Sequence, residues 1–145
     1  MYEPIRTKSV VHRVGGHHSD SHSDSHSDSH SGYPQSSRGE ALDIQLAAHL
    51  AALLAVTDEL GLDGAAVRIA AQVTRLRGSE PARAPRADIT GAAGLAALHQ
   101  RAHDLAGRAL VVAASRADTT VAILAAERMD AHAAALASQN LAGSL

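Results

Sequence analysis

The sequence predicts an all-α protein, an antiparallel bundle of three or four helices preceded by a disordered N-terminal arm. Three observations predict it. Leucine and alanine recur at three- and four-residue spacing through most of residues 38–142, the period of helices with one apolar face. After Pro34, proline is confined to Pro81 and Pro85, so only one stretch of the apolar-periodic region is broken by it. Residues 17–37 hold almost no apolar side chains, and without buried area nothing offsets the entropy of ordering them.

Taken in order, residues 1–16 (MYEPIRTKSVVHRVGG) carry Arg6, Lys8 and Arg13 against Glu3. Ile5, Val10, Val11 and Val14 could make a short extended docking segment, but a mobile arm ending at Gly15-Gly16 is the simpler reading. The arm continues to residue 37, with Tyr33-Pro34 read as a turn or linker. A helical hairpin is expected over 38–78. Ser37 and Glu40 have the S-x-x-E form of a capping box, with Ser37 as the cap. Leu42, Leu46, Leu50, Leu53, Leu54 and Leu60 then form one stripe, and Gly61 ends the helix. Asp63 can start the second helix, whose expected core stripe is Val67, Ile69, Ala70, Val73 and Leu76. Arg68, Arg75 and Arg77 fall outside that stripe, the last two where the helix dipole favours cations, and Gly78 closes the element.

Residues 79–90 form a proline-containing linker, and Asp88 or Thr90 could cap the next helix. Residues 91–142 read as one long helix or a helix pair packing on the hairpin. Leu95, Leu98, Ala102, Leu105, Ala109 and Val112 repeat as an a/d seam, with alanine layers and Gly107 permitting close approach. The stripe then shifts to Val121, Leu124, Ala125, Met129, His132 and Leu136. A break at Ser115–Thr120, capped by Asp118 or Thr119, explains the shift. An unbroken rod would be about 75 Å long and would need a partner to cover it.

Composition narrows the function classes. There is no Phe, Trp or Cys, and both tyrosines, Tyr2 and Tyr33, precede the bundle. A core of Leu, Ile, Val and Ala alone is thin, which favours self-association. Missing rings remove base-stacking platforms, and missing thiols remove disulfides and thiolate metal sites. With 13 Lys and Arg against 15 Asp and Glu, the net charge of −2 gives no reason to expect nucleic acid as a partner. The apolar tract 46–56 is shorter than a bilayer span, and no segment reads as a secretory signal. A soluble, cytoplasmic protein with no membrane partner is therefore expected.

One stretch stands apart. HHSDSHSDSHSDSHS places His18, His22, His26 and His30 four residues apart, with Asp20, Asp24 and Asp28 between them and His17 in front. Imidazoles with carboxylates suit Ni, Zn or Cu, so these eight residues are the candidate metal ligands. A repeat this uniform also arises by slippage in a linker, and it has nothing to fix its ligands in place. With neutral histidines the repeat carries only the aspartate charge; mild acid would add up to five positive charges and reverse its sign.

Elsewhere, His99 and His103 have the spacing of H-E-x-x-H, but Gln100 stands where the general-base Glu belongs. A solvated face is the simpler account of that pair. His49 and His132 sit on or near apolar stripes and read as boundary residues; a bundle site drawing on His49, His132 and Glu127 would require facing helices. There is no phosphate-binding glycine loop and no nucleophile elbow. No catalytic residue and no required cofactor is assigned. The general look, a short Ala/Arg-rich helical chain opening MYEPIRTKSV, resembles small uncharacterised helical proteins of high-GC actinobacteria, a resemblance that implies no activity. The expectation is a non-enzymatic, self-associating helical interaction protein, with metal handling through the His-rich arm as the alternative.

Overall fold

The computed structural model describes residues 33–144. They form four α-helices in sequence: α1 (Tyr33–Glu59), α2 (Asp63–Arg77), α3 (Ala92–Ser115) and α4 (Thr119–Gly143). The fold is all-α, with no strand among the described residues.

Each junction has a local cause. Gly61 takes φ +70°, and Gly61 and Leu62 donate their N–H groups back to Asp58 and Thr57. This is a Schellman turn, in which a left-handed glycine lets the last carbonyls of α1 be satisfied. Gly78 closes α2 at φ +73°, with its N–H bonded to the Thr74 carbonyl at 2.7 Å. Between α3 and α4 the same turn is built on Ala117, at φ +55° and the only non-glycine with positive φ among the described residues. The Asp118 N–H bonds the Ala113 carbonyl, and the Asp118 side chain accepts from the Val121 N–H at 3.2 Å, capping α4. The region 91–142 is thus two helices, not one rod.

Two expected caps are corrected. α1 begins at Tyr33, so Ser37 lies inside the helix rather than at its N-cap. Pro34 is compatible with a first helical turn because its missing N–H would have no intrahelical acceptor there. At α3 the N-cap is Gly91, with no side-chain bond, so neither Asp88 nor Thr90 caps it.

Packing follows from the stripes. α1 contributes Leu46, Leu50, Leu53 and Leu54, all fully buried, and packs on both α2 and α3. α3 packs most extensively on α4, through Ala102, Leu105, Ala106, Ala109 and Val112. Val67 is a correction: it is 63% exposed, and Ala66 is buried in its place. The face of α2 turned to α1 is narrow, running through Ala66, Ile69 and Val73, and Val67 falls outside it beside the start of the linker.

Side-chain pairs fix the directions. Asp43 in the first half of α1 meets Arg116 at the end of α3, at 3.0 Å. Arg75 and Arg68 of α2 reach Asp118 and Glu127 of α4 at 2.6 and 2.7 Å, in reverse order along the two helices. Neighbouring helices therefore run antiparallel. The linker after α2 returns along the hairpin instead of standing free. Asp58, nearly buried at the end of α1, accepts two bonds from Arg83 at 2.7 and 2.9 Å and one from the Ala84 N–H at 3.0 Å. The Ala87 N–H adds a bond to the Glu59 carbonyl.

Candidate functional site

The eight candidate ligands of the arm (His17, His18, His22, His26, His30, Asp20, Asp24 and Asp28) lie outside the described residues. The remaining candidates are histidines of the bundle, which fall into two groups.

The first group lies between α3 and α4. His132 is fully buried, and its Nδ1 stands 2.9 Å from Nδ1 of His99, with the rings tilted by 52° and their centres 5.2 Å apart. His132 is thus more than a boundary residue, because α4 turns position 132 straight into its seam with α3. A hydrogen bond at this distance needs one ring to donate and the other to accept, so the two imidazoles hold opposite tautomers at Nδ1. The far nitrogen of His132, Nε2, is buried without a hydrogen-bond partner, as are Arg128 Nε and Gln139 Oε1 on the same helix. Burial lowers the His132 pKa from 6.5 to about 4, and the nearby Arg128, His99 and His103 push the same way. Burial also lowers the His99 pKa, with Arg128 adding to it. Arg128 itself is shifted below the usual arginine range, first by burial and then by Arg68. The pair is therefore neutral at pH 7, a hydrogen-bonded contact in a polar stretch of the core.

This arrangement is a poor cation site. Among the described residues no three His, Cys, Asp or Glu side chains come together to hold a metal ion. Two imidazoles beside an arginine offer too few ligands and a repelling charge. The imagined set of His49, His132 and Glu127 is not assembled either: His132 pairs with His99, and Glu127 pairs with Arg68 at 2.7 Å.

The second group, His49 and His103, lines an open groove of about 660 Å³ that crosses α3. Gln45 and His49 of α1 form one wall, Met129 of α4 lies at the other, and Asp104, Gly107, Arg108 and Val111 of α3 make the floor. His103 is turned from His99 toward this groove, and its Nδ1 lies 3.7 Å from Asp104. The i, i+4 spacing of His99 and His103 thus does not put both on one site. The bridging pairs Asp58–Arg83, Arg75–Asp118 and Asp43–Arg116 carry no local sequence signal, since the partners are 25, 43 and 73 residues apart.

α1 is also long and apolar enough over Ser37–Glu59 to cross a membrane by length and composition, although a third of its most apolar window is buried in the bundle. The leucines behind that apolarity, Leu46, Leu50, Leu53 and Leu54, are core residues here. No known family model matches the chain, and no curated protein or solved structure is significantly similar to it.

Proposed function

We propose that the chain is a helical interaction protein that associates with itself and performs no catalysis. The observation that carries this reading is the branched apolar surface left on every helix. Ile44 of α1, Val67 of α2, Val111 of α3, and Ile123 and Leu141 of α4 are each more than half exposed. Single exposed side chains are ordinary, but here they accompany a core whose apolar side chains, among the described residues, include no aromatic ring. Such a bundle gains more from covering these faces than one with a large core. On this reading the protein is soluble and cytoplasmic, with a second copy or another helical protein as partner.

The test is thermal unfolding of the full chain followed by far-UV circular dichroism over a hundredfold concentration range. Association raises the midpoint with concentration by mass action. A midpoint independent of concentration contradicts the reading.

A second reading, metal handling, is favoured by one observation, the five histidines and three aspartates packed into residues 17–30. Such a tract suits Ni, Zn or Cu. Calorimetric titration with nickel and zinc, on the full chain and on a variant lacking residues 17–31, separates the possibilities. Binding lost with the deletion supports a metal role for the arm; weak or absent binding in both leaves the arm as a linker.

A further inference from the structure

We propose that the outward face of α3, centred on Gly107, is the surface on which a second copy of this chain docks. The two α3 helices would run antiparallel, with Asp104 of each copy facing Arg108 of the other. The inference rests on the self-association reading above and names its surface.

Gly107 is the first support. It sits in the middle of a 24-residue helix with ordinary helical φ, since only Gly61, Gly78 and Gly91 are glycines with positive φ among the described residues. A Cβ built there would meet only Met129, at 3.6 Å, which is ordinary van der Waals contact. Alanine would therefore fit the monomer and strengthen the helix. The bundle does not need this glycine, whereas a helix crossing over α3 does, because a missing side chain lets two backbones approach closely.

Charge is the second support. Arg108 forms no hydrogen bond or ion pair among the described residues, and Asp104 is exposed and held only by the Gln100 amide, at 3.0 Å, and the edge of His103. An acid and a base four residues apart on one helix face are self-complementary. A two-fold axis level with Ala106 exchanges positions 104 and 108, so one contact generates two ion pairs. A face selected for an acidic or a basic partner would need only one sign. Val111, 67% exposed one turn further on, supplies apolar area beside the pairs.

The test is sedimentation equilibrium of the full chain and of the variants D104R, R108D, D104R/R108D and G107L. Each single charge change sets like charges opposite one another and weakens association roughly tenfold, and the double swap restores it. G107L fills the groove floor and abolishes association while the monomer keeps its helicity and melts no lower than the wild type, since leucine suits a helix interior better than glycine. Should any variant fail to fold, the remaining ones carry the comparison, since Asp104 and Arg108 are exposed. If the wild type associates and neither the charge variants nor G107L differ from it, the docking face lies elsewhere and this inference falls while self-association stands. If the wild type is monomeric throughout, both fall.

Discussion

The α1–α2 hairpin and the α3–α4 hairpin share a helical period but are packed with different side chains. α1 fills the core with four fully buried leucines, and α2 adds Ile69 and Val73. The α3–α4 seam is made mostly of alanine at Ala102, Ala106, Ala109 and Ala125. Beyond Ala125 it turns polar, with buried atoms of Arg128, His132 and Gln139 lacking partners. Leucine removes more apolar area from water per residue, while alanine lets the helix axes come closer and leaves little energy to offset buried polar atoms. The first hairpin is therefore the stabilising half. The second is the half that buries the titratable pair His99 and His132, and its packing is therefore the more sensitive to acid.

The largest expected break in this comparison is in α1. Leu50→Ala leaves a cavity at a fully buried position of α1, and should cost about 3 kcal/mol in urea unfolding. An equally buried alanine in α3, such as Ala109, has no comparable methyl groups to lose; a cost below about 1 kcal/mol for Leu50→Ala would undo the contrast.

Acid comes next, acting on the other hairpin. His132 stays neutral in the fold until about pH 4, whereas in the unfolded chain it takes up a proton near pH 6.5. Its contribution is thus undiminished above pH 6.5, and stability falls as pH drops from there toward 4, by about 3 kcal/mol at most. His99, shifted in the same direction, adds to the slope. The His99→Leu/His132→Leu variant should flatten the profile in that window without large loss at pH 7, because replacing both partners of a buried polar contact is close to neutral. Chemical denaturation across that range checks it. Asp58, held below the usual carboxylate range by the Arg83 bonds, acts separately: its contribution is present above its unfolded value and is lost only at lower pH.

A smaller effect concerns the strap over the first hairpin. Asp58→Ala removes the acceptor of Arg83 and of the Ala84 N–H. Trypsin should then cut at Arg83 or Arg86 faster than in the wild type while α1 and α2 stay folded; unchanged cleavage would show that the Ala87–Glu59 bond holds the strap alone. The smallest effect is a gain. Ala117 sits in the left-handed region, so Ala117→Gly should stabilise the α3–α4 hairpin by about 1 kcal/mol, the reverse of the usual order of these residues. Urea unfolding of the two proteins side by side checks it, and a loss of stability would mean that the turn is not strained.

The features legible in the sequence are those with local causes. Gly61, Gly78 and Asp118 end or start helices by bonds within a few residues, and all three read as punctuation. The start of α1 does not, because Pro34 suits both a turn and a first helical turn. The Val67 exposure depends on how wide a face α1 offers to α2, which the pattern of α2 alone does not contain. The His99–His132 contact joins residues 33 apart on two helices. The alanine period brackets its position without choosing which histidine faces inward. The groove over α3 is legible only in part. The spacing of α3 puts Asp104, Gly107, Arg108 and Val111 on one face, but the walls come from α1 and α4.

The central claim, that these faces pair copies of the chain, is tested most directly by sedimentation velocity of the full 14.9 kDa protein at neutral pH from low to high micromolar concentration. The account predicts a weight-average coefficient that rises smoothly from that of a monomer to that of a dimer. A coefficient that stays at the monomer value across the whole range would contradict it.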